Sequence, residues 1–267
     1  MNELLDTTIK LVNDFKLENL SLEGQNFIVD EDILDKEIEH ADLRKDDIVV
    51  DIGAGFGYIT ARVAKICRVI AIEKDFRLYS YMVSTLELNK NVELINQDVM
   101  EMVLPEFTKI VSNPPYSIVD RLLLKIARYD FEGGVMILPN TLAESLASSR
   151  EKDETVLSFS LRQFMDFELI CDVQKDKFYP PPRVTSKMVK FIKKEEDFVQ
   201  RVLDEPGSLV KNAILAADQT FNSNTKRTSR ERLADRIKEI EDISNKTVKQ
   251  LNLEELKRLV RFLERNY

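Results

Sequence analysis

The segment Asp47–Thr60, DIVVDIGAGFGYIT, decides the fold of this chain. It begins with an apolar run typical of a buried strand, continues through a glycine-rich turn, and ends where helical spacing begins. Gly53 and Gly55 permit a tight turn and a close approach of a ligand to the backbone. A G-x-G-x-G turn alone is weak evidence, because nicotinamide-dependent enzymes use a similar turn. The segment therefore predicts a strand–turn–helix unit that contacts a ligand of still open identity.

Strand and helix patterns alternate downstream of this unit. This alternation predicts an α/β fold with a doubly wound, mostly parallel sheet. The apolar runs are RVIAIEKD (68–75), NVELINQDV (91–99), KIVSNPPY (109–116) and GGVMILPN (133–140), with helical patterns between them.

The pattern changes in the last third of the chain. Residues 157–173 and 186–194 are predicted as later strands that close the sheet in the antiparallel direction. Beyond Lys194 helical periodicity replaces the strand pattern. We therefore predict a cofactor-binding sheet domain over residues 1–192 and a small helical domain over residues 193–267.

Composition excludes several classes of function. The chain has 267 residues, a net charge of -8, one histidine and two cysteines. These counts argue against histidine-based metal or triad chemistry, a disulfide framework and a broad nucleic-acid surface. Apolar runs stay far below the roughly 20 residues of a membrane helix, and the N-terminus lacks the pattern of a signal peptide, so we expect a cytoplasmic protein.

A small basic cluster stands out in the otherwise acidic chain. It lies in the C-terminal segment, which is slightly basic as a whole. Such a cluster can mark a contact with nucleic acid, although it is more often a solvated helix face. Its members are Lys226, Arg227, Arg230 and Arg232.

Polar residues follow four of the predicted strands, where doubly wound sheets bind their ligands. Glu73 follows the second strand at a spacing from Gly55 that suits a carboxylate accepting hydrogen bonds from a ribose diol. Asp98 is expected to accept from an adenine amine, with the backbone amide of Val99 donating to a ring nitrogen. Asp51 follows the first strand and Asn113 the fourth.

The corner Asn113-Pro114-Pro115-Tyr116 indicates the chemistry. The lone pair of a planar amine is delocalised, so its nitrogen is a poor nucleophile. The Asn113 side-chain oxygen and the Pro114 carbonyl can each accept one N–H bond and aim that lone pair at a sulfonium methyl. The prolines make the corner rigid, and Tyr116 offers a face for stacking. We interpret the corner as an amine clamp, with an ordinary structural turn as the alternative.

Six motifs together resemble one family. GQNFIVDEDILDKEIEHADL, DIGAGFGYIT, IAIEKD, QDVM, NPPYSI and FYPPPRVTS occur in the order found in ribosomal RNA adenine N6-dimethyltransferases, which include the KsgA-type and Erm-type enzymes. The resemblance covers roughly residues 24–190 and implies a Rossmann-like class I methyltransferase that uses S-adenosyl-L-methionine. It also implies that the phenylalanine of Phe-x-Pro-x-Pro-x-Val-x-Ser, here Phe178, stacks on a flipped target base.

The resemblance implies a set of site residues and partners. The acceptor would be ribosomal RNA in a precursor of the small subunit, bound by a monomer without metal or membrane. Catalytic roles fall on Asn113, Pro114, Tyr116 and Phe178, and RNA binding on the basic cluster. The cofactor would contact Gln25, Asn26, Phe27, Asp51, Gly53, Gly55, Glu73, Lys74, Asp98, Val99 and Asn113.

The sequence leaves three hypotheses about the function open. The leading one is methylation of adenine N6 in small-subunit ribosomal RNA. Asn-Pro-Pro-Tyr also resembles the clamp of DNA adenine and protein glutamine methyltransferases, so the acceptor can be another nucleic acid or a protein glutamine. The third reading is a ribosome-assembly factor that binds RNA without catalysis.

Overall fold

The computed structural model describes residues 2–18, 20, 24–86, 88–148, 150, 153–195, 198–204, 210, 213–214 and 237–266. The chain divides into two compact units. The first comprises Met1–Ser149 and Met165–Lys193, and the second comprises Arg150–Phe164 and Lys194–Tyr267. The sequence placed residues 1–192 together, whereas the segment Arg150–Phe164 packs with the C-terminal residues instead.

A seven-stranded sheet forms the centre of the first unit. The strands of the described residues are β1 Phe27–Ile28, β2 Ile48–Ile52, β3 Arg68–Ile72, β4 Val92–Ile95, β5 Lys109–Ser112, β6 Gly133–Pro139, β7 Met165–Val173, β8 Phe178–Tyr179 and β9 Ser186–Lys193. The strand order of the seven-stranded sheet is β4-β3-β2-β5-β6-β9-β7, with β2 to β6 parallel and β9 antiparallel to both β6 and β7. This topology confirms the predicted doubly wound, mostly parallel sheet.

The inner strands are apolar because helices cover both faces of the sheet. Val49, Val69, Ile110 and Val135 have no exposed surface. The edge strand β4 is only half-buried along its length.

The α-helices of the described residues are α1 Glu3–Asp14, α2 Glu31–His40, α3 Tyr58–Val63, α4 Phe76–Leu86, α5 Val119–Ile126, α6 Asn140–Ala147, α7 Val156–Phe164, α8 Phe198–Leu203, α9 Glu241–Ser244 and α10 Leu253–Asn266.

One predicted strand is wrong in its first half. Residues 157–173 were expected to be extended, but helix α7 ends at Phe164 and β7 begins at the next residue. The side chain of Thr155 accepts from the Ser158 amide at 3.1 Å, and the Ser158 hydroxyl accepts from the Thr155 amide at 2.9 Å. This reciprocal capping starts the helix. No glycine or proline separates helix from strand, which is why the pattern reads as continuous.

A two-stranded sheet joins two motifs that are far apart in sequence. Strand β1 pairs antiparallel with β8, so that Phe27 lies opposite Tyr179 and Ile28 opposite Phe178. The pairing continues where the Val29 amide donates to the Lys177 carbonyl at 2.8 Å. The Gln-Asn-Phe motif is thereby held against the Phe-x-Pro-x-Pro motif.

Phe178 belongs to the core in this arrangement. Its side chain is 2% exposed and packs in the apolar layer that contains Ile28, Val135 and Met188. Stacking on a base requires an accessible ring face, which Phe178 does not offer. The stacking role inferred for Phe178 therefore stays a prediction, and its burial in the core is the structural finding.

The second unit is built from helices in its described part. Helix α10 spans the predicted LEELKRLVRFLERN and buries Leu259, Phe262 and Leu263. Glu154 accepts from Lys257 at 2.6 Å and also pairs with Arg162, which ties helix α7 to α10. Among the described residues, no helix has the length and apolar character needed to cross a membrane.

We predict that Phe178→Ala lowers the free energy of unfolding by about 3–5 kcal/mol, the usual cost of truncating a buried phenylalanine. Urea denaturation measures the change. Phe76→Ala is the matched control, because its ring is 67% exposed and the substitution should cost within about 0.5 kcal/mol. Equal stabilities for the two variants would contradict the core assignment.

Candidate active site

The carboxyl ends of the parallel strands surround two adjoining cavities. Gln25, Gly53, Glu73 and Pro115 contact both. All eleven residues predicted to bind the cofactor line one or the other: Gln25, Asn26, Phe27, Asp51, Gly53, Gly55, Glu73 and Asn113 the first, and Gln25, Gly53, Glu73, Lys74, Asp98 and Val99 the second.

The glycine-rich turn is shaped by its neighbours as well as by its own conformation. Gly53 has φ +71°, and a Cβ there would lie 2.8 Å from Cδ of Pro115. Gly55 has φ +59°, and its Cβ would lie 3.0 Å from the ring of Phe27. Any side chain at either position is therefore strained and also collides with the site wall.

Glu73 is held in place by the turn that it faces. Its Oε2 accepts from the Gly55 amide at 2.9 Å and its Oε1 accepts from the Asp75 amide at 2.8 Å. The side chain is 4% exposed, and burial raises the pKa of its carboxyl despite these two bonds. Each oxygen keeps a further lone pair, so the carboxylate can still accept from hydroxyl groups.

Asp51 is buried under the first cavity. Its Oδ2 accepts from the Thr60 hydroxyl at 2.6 Å, whereas its Oδ1 has no hydrogen-bond partner within the described part of the chain. Burial raises the pKa of Asp51 to about 7. An unpartnered buried acceptor of this kind suits a ligand that supplies a donor.

Asp98 lies at the wall of the second cavity. Its Oδ2 accepts from Lys74 at 2.8 Å and its Oδ1 from the Met100 amide at 2.8 Å. The hydrogen bond from Lys74 holds the pKa of Asp98 below its usual value. Asp98 is therefore ionised at neutral pH, and its oxygens can accept a hydrogen bond from an exocyclic amine.

Asn113 presents an acceptor at the end of β5. Its Nδ2 donates to the Asn26 carbonyl at 2.8 Å. Because a carbonyl can only accept a hydrogen bond, the atom that faces Asn26 must be Nδ2. The orientation of the side-chain amide is therefore fixed, and Oδ1 points away from the Asn26 carbonyl. Among the residues that the structure describes, nothing donates to this buried Oδ1. The arrangement fits the acceptor function predicted for an amine clamp.

Tyr116 is anchored through its hydroxyl, which lies 2.6 Å from the Ser186 hydroxyl. Its amide donates to the Gly24 carbonyl at 3.3 Å. Burial raises the pKa of Tyr116 to about 12, so the phenol stays neutral. Pro114 is buried beside it. Stacking of a flat acceptor on Tyr116 stays a prediction.

Several lining residues escaped the sequence analysis. Phe56 contacts Phe27 with ring centroids 4.6 Å apart and closes one side of the first cavity. Gln97 lines the second cavity directly before Asp98, and its position after β4 could have revealed it. Glu37 lines neither cavity, but it is fully buried on α2, which the many exposed acids of that helix concealed.

The remaining predictions concern RNA and metals. Lys226, Arg227, Arg230 and Arg232 lie outside the described residues. Within the described ranges, no group of three or more histidine, cysteine, aspartate or glutamate side chains is placed to hold a metal ion. Cys67 is buried and Cys171 half-buried, and both are free thiols.

Comparisons with known proteins place the chain in context. A family model described as "Ribosomal RNA adenine dimethylase" matches residues 19–264. A "Probable ribosomal RNA small subunit methyltransferase A" from Thermococcus sibiricus is 31% identical over 264 residues, covering 95% of both chains. One with the same description from Methanosarcina mazei is 32% identical over 250 residues, covering 87% of this chain and 88% of its own.

Solved structures agree on the fold. A dimethyladenosine transferase from Plasmodium falciparum matches with a TM-score of 0.64 and 24% identity over 90% of this chain and 98% of its own. The 23S rRNA methyltransferase ErmE matches with a TM-score of 0.59 and 20% identity. The match covers 90% of this chain and 100% of the ErmE chain. These likenesses confirm the Rossmann-like class I architecture.

We predict that Glu73→Ala weakens the binding of S-adenosylmethionine by about 1–3 kcal/mol, the usual worth of a hydrogen bond to a charged group. Titration calorimetry measures the affinity. Glu93→Ala is the control, because Glu93 lies at the edge of the sheet in a partly exposed ion pair with Arg68. Unchanged affinity in Glu73→Ala would remove this residue from the cofactor site.

Proposed function

Because the chain belongs to the ribosomal RNA adenine dimethylase family, we propose that it is an S-adenosylmethionine-dependent methyltransferase of adenine N6 in small-subunit ribosomal RNA. The descriptions of its relatives from Thermococcus sibiricus and Methanosarcina mazei support the choice of RNA. The observation that carries the chemistry is the unpartnered Oδ1 of Asn113, fixed by its own Nδ2 at the wall of the first cavity.

The cofactor residues fall into two groups that match the two ends of S-adenosylmethionine. Glu73 contacts both cavities, which suits a residue that binds the ribose, because the ribose lies between the adenine and the methionine ends of the cofactor. Asp98 and Val99 line the second cavity and suit the adenine. Gly53, Gly55 and Asp51 line the first, where close backbone approach and an unpartnered carboxylate oxygen suit the methionine end. When bound, the cofactor supplies an electrophilic methyl group.

The clamp activates the amine without a strong base. Oδ1 of Asn113 and the carbonyl of Pro114 each accept one N–H bond from adenine N6, which directs the nitrogen lone pair along the remaining direction. Positioning and oriented dipoles supply most of such an effect. The methyl carbon would exchange its bond to the cofactor sulfur, which leaves as a neutral thioether, for the bond to N6, and the nitrogen would lose one proton to solvent.

The corner Asn113–Tyr116 is rigid because two of its four residues are prolines. Pro114 and Pro115 restrict the backbone after Asn113. The hydroxyl of Tyr116 is anchored on Ser186, so its ring has a defined position. We assign to Tyr116 the stacking of the target base, which must leave the RNA stack before it can reach the clamp.

The RNA is bound by basic residues outside the acidic catalytic unit. The chain has a net charge of -8 and should repel phosphates over much of its surface. The basic cluster Lys226, Arg227, Arg230 and Arg232 is the contact that we propose. We also expect a cytoplasmic monomer that works without a metal.

The direct test incubates the purified protein with methyl-labelled S-adenosylmethionine and either immature small subunits or total protein extract. Label in N6-methylated adenine of the ribosomal RNA supports the proposal. Label in protein glutamine instead favours the alternative acceptor. RNA binding without any transfer favours the assembly-factor reading.

We expect Asn113→Ala to lose methyl transfer while it still binds the cofactor, because the other ten predicted cofactor contacts remain. The residue acts on the amine mainly in the transition state, so kcat should fall much more than KM changes. Steady-state kinetics with small subunits gives both constants, and calorimetry controls for cofactor binding. Turnover within about tenfold of wild type, worth ~1.4 kcal/mol, would disprove the clamp.

Replacing all four residues of the basic cluster by alanine should weaken RNA binding and flatten its dependence on salt, because fewer counterions are released. Filter binding across salt concentrations measures both. Lys249→Ala/Arg261→Ala is the control, since both residues are exposed and lie outside the cluster in the sequence. Normal RNA methylation by the quadruple variant at every salt concentration would show that the RNA is held by other residues.

A further inference from the structure

Lys125 connects helix α5 to the turn that follows β4. Its ammonium group donates to the Val99 carbonyl at 2.6 Å and also to the Met102 carbonyl. The side chain is half-buried, and among the described residues it pairs with no carboxylate. Lysine usually keeps its ammonium group in water. An ammonium group that is fixed on two carbonyls of one turn therefore indicates that the turn is held in a definite position.

The turn Asp98–Met102 is closed by its own backbone. The Asp98 carbonyl accepts from the amides of Glu101 at 3.0 Å and Met102 at 3.2 Å. The peptide between Asp98 and Val99 is trans, so its N–H points opposite to its carbonyl. Within the described part of the chain, the Val99 amide donates to no carbonyl. This amide is thus left as a donor at the wall of the second cavity, which Asp98 and Val99 both line.

The next peptide, between Val99 and Met100, links Lys125 to the Asp98 carboxylate. Its carbonyl accepts from Lys125, and its amide donates to Oδ1 of Asp98 at 2.8 Å. A cation on the carbonyl polarises the peptide and strengthens the hydrogen bond that its amide donates. One ammonium group therefore fixes the Asp98 carboxylate and, through the adjoining peptide, the direction of the Val99 N–H.

We infer that Lys125 is a positioning residue for adenine recognition: it holds the turn Asp98–Met102 so that the Asp98 carboxylate and the Val99 amide present one acceptor and one donor to the base of the cofactor. The inference rests on the proposed function, which places the adenine in the second cavity. Adenine offers the complementary pair, an N–H of its N6 amine and the lone pair of N1.

Deaminated adenine tests this pairing because its edge is reversed. Hypoxanthine has a carbonyl where adenine has the amine, and its N1 carries a hydrogen. The Asp98 carboxylate would then face an acceptor, and the Val99 amide would face a donor. A site built on hydrogen bonds rejects such a ligand because its own polar groups stay unpaired. The preference for adenine over hypoxanthine therefore reports how firmly the turn is held.

A second hydrogen bond ties the same parts of the chain together without holding the turn. The Tyr129 hydroxyl accepts from the Leu104 amide at 3.0 Å. Tyr129 follows α5, Leu104 follows the turn, and neither residue lines the second cavity. Tyr129→Phe therefore loosens the same connection but leaves the bonds from Lys125 in place. It is the matched control for a purely structural effect.

The test measures the dissociation constants of S-adenosylhomocysteine and S-inosylhomocysteine by titration calorimetry, with competition for the weaker ligand. Wild type should prefer the adenine compound about a hundredfold, because two partners are mismatched in the other. Lys125→Met should lower this preference about tenfold, as expected if about one hydrogen bond to a charged group is lost. Lys125→Arg keeps the charge and the N–H donors, and should keep the larger part of the preference.

Two controls should keep the wild-type preference. One is Tyr129→Phe. The other is Lys90→Met, which removes the same charge from an exposed residue in the segment before β4. Thermal unfolding of each variant without ligand shows whether the fold is intact.

The possible outcomes separate the two proposals. An unchanged preference in Lys125→Met, or an equal loss in Tyr129→Phe or Lys125→Arg, overturns the positioning role while cofactor binding stands. Equal affinity of wild type for the two compounds overturns it as well, because the turn then does not read the base. If wild type binds neither S-adenosylmethionine nor S-adenosylhomocysteine, the proposed function fails and this inference fails with it.

Discussion

The hydrogen bond from Asn113 Nδ2 to the Asn26 carbonyl is the interaction on which the site depends. It decides which end of the Asn113 amide is left as an acceptor. It also ties the end of β5 to the segment that continues into β1, and β1 is paired in turn with β8. Three regions far apart in the sequence thereby meet at one amide, and the proposed clamp depends on that junction.

The two prolines after Asn113 have a second consequence. Pro115 packs against the glycine turn so closely that a Cβ at Gly53 would lie 2.8 Å from its ring. The turn that follows β2 and the corner that follows β5 are therefore complementary in shape. We propose that the rigid corner orients the acceptor amine. The corner also bounds the first cavity, and these two roles together would account for a strand that ends in Asn-Pro-Pro-Tyr.

The sequence predicted the strand ends well, because parallel strands bring their carboxyl ends to one edge regardless of side-chain detail. Asp51, Glu73, Asp98 and Asn113 accordingly meet at the two cavities. Burial was harder to predict. The pairing of two-residue strands that buries Phe178 leaves no periodic signal, and Glu37 is one of several acids on a helix whose inward face is set by tertiary packing.

The central claim is that Asn113 accepts a hydrogen bond from the target amine while its own nitrogen stays on Asn26. A crystal structure with S-adenosylhomocysteine and an adenine-containing RNA fragment measures this directly. Oδ1 of Asn113 should lie at about 2.7–3.2 Å from adenine N6, with the hydrogen bond from Nδ2 to the Asn26 carbonyl intact. An adenine amine bound beyond about 4 Å from Oδ1, or an Asn113 amide that has left Asn26 to bind the cofactor, would contradict it.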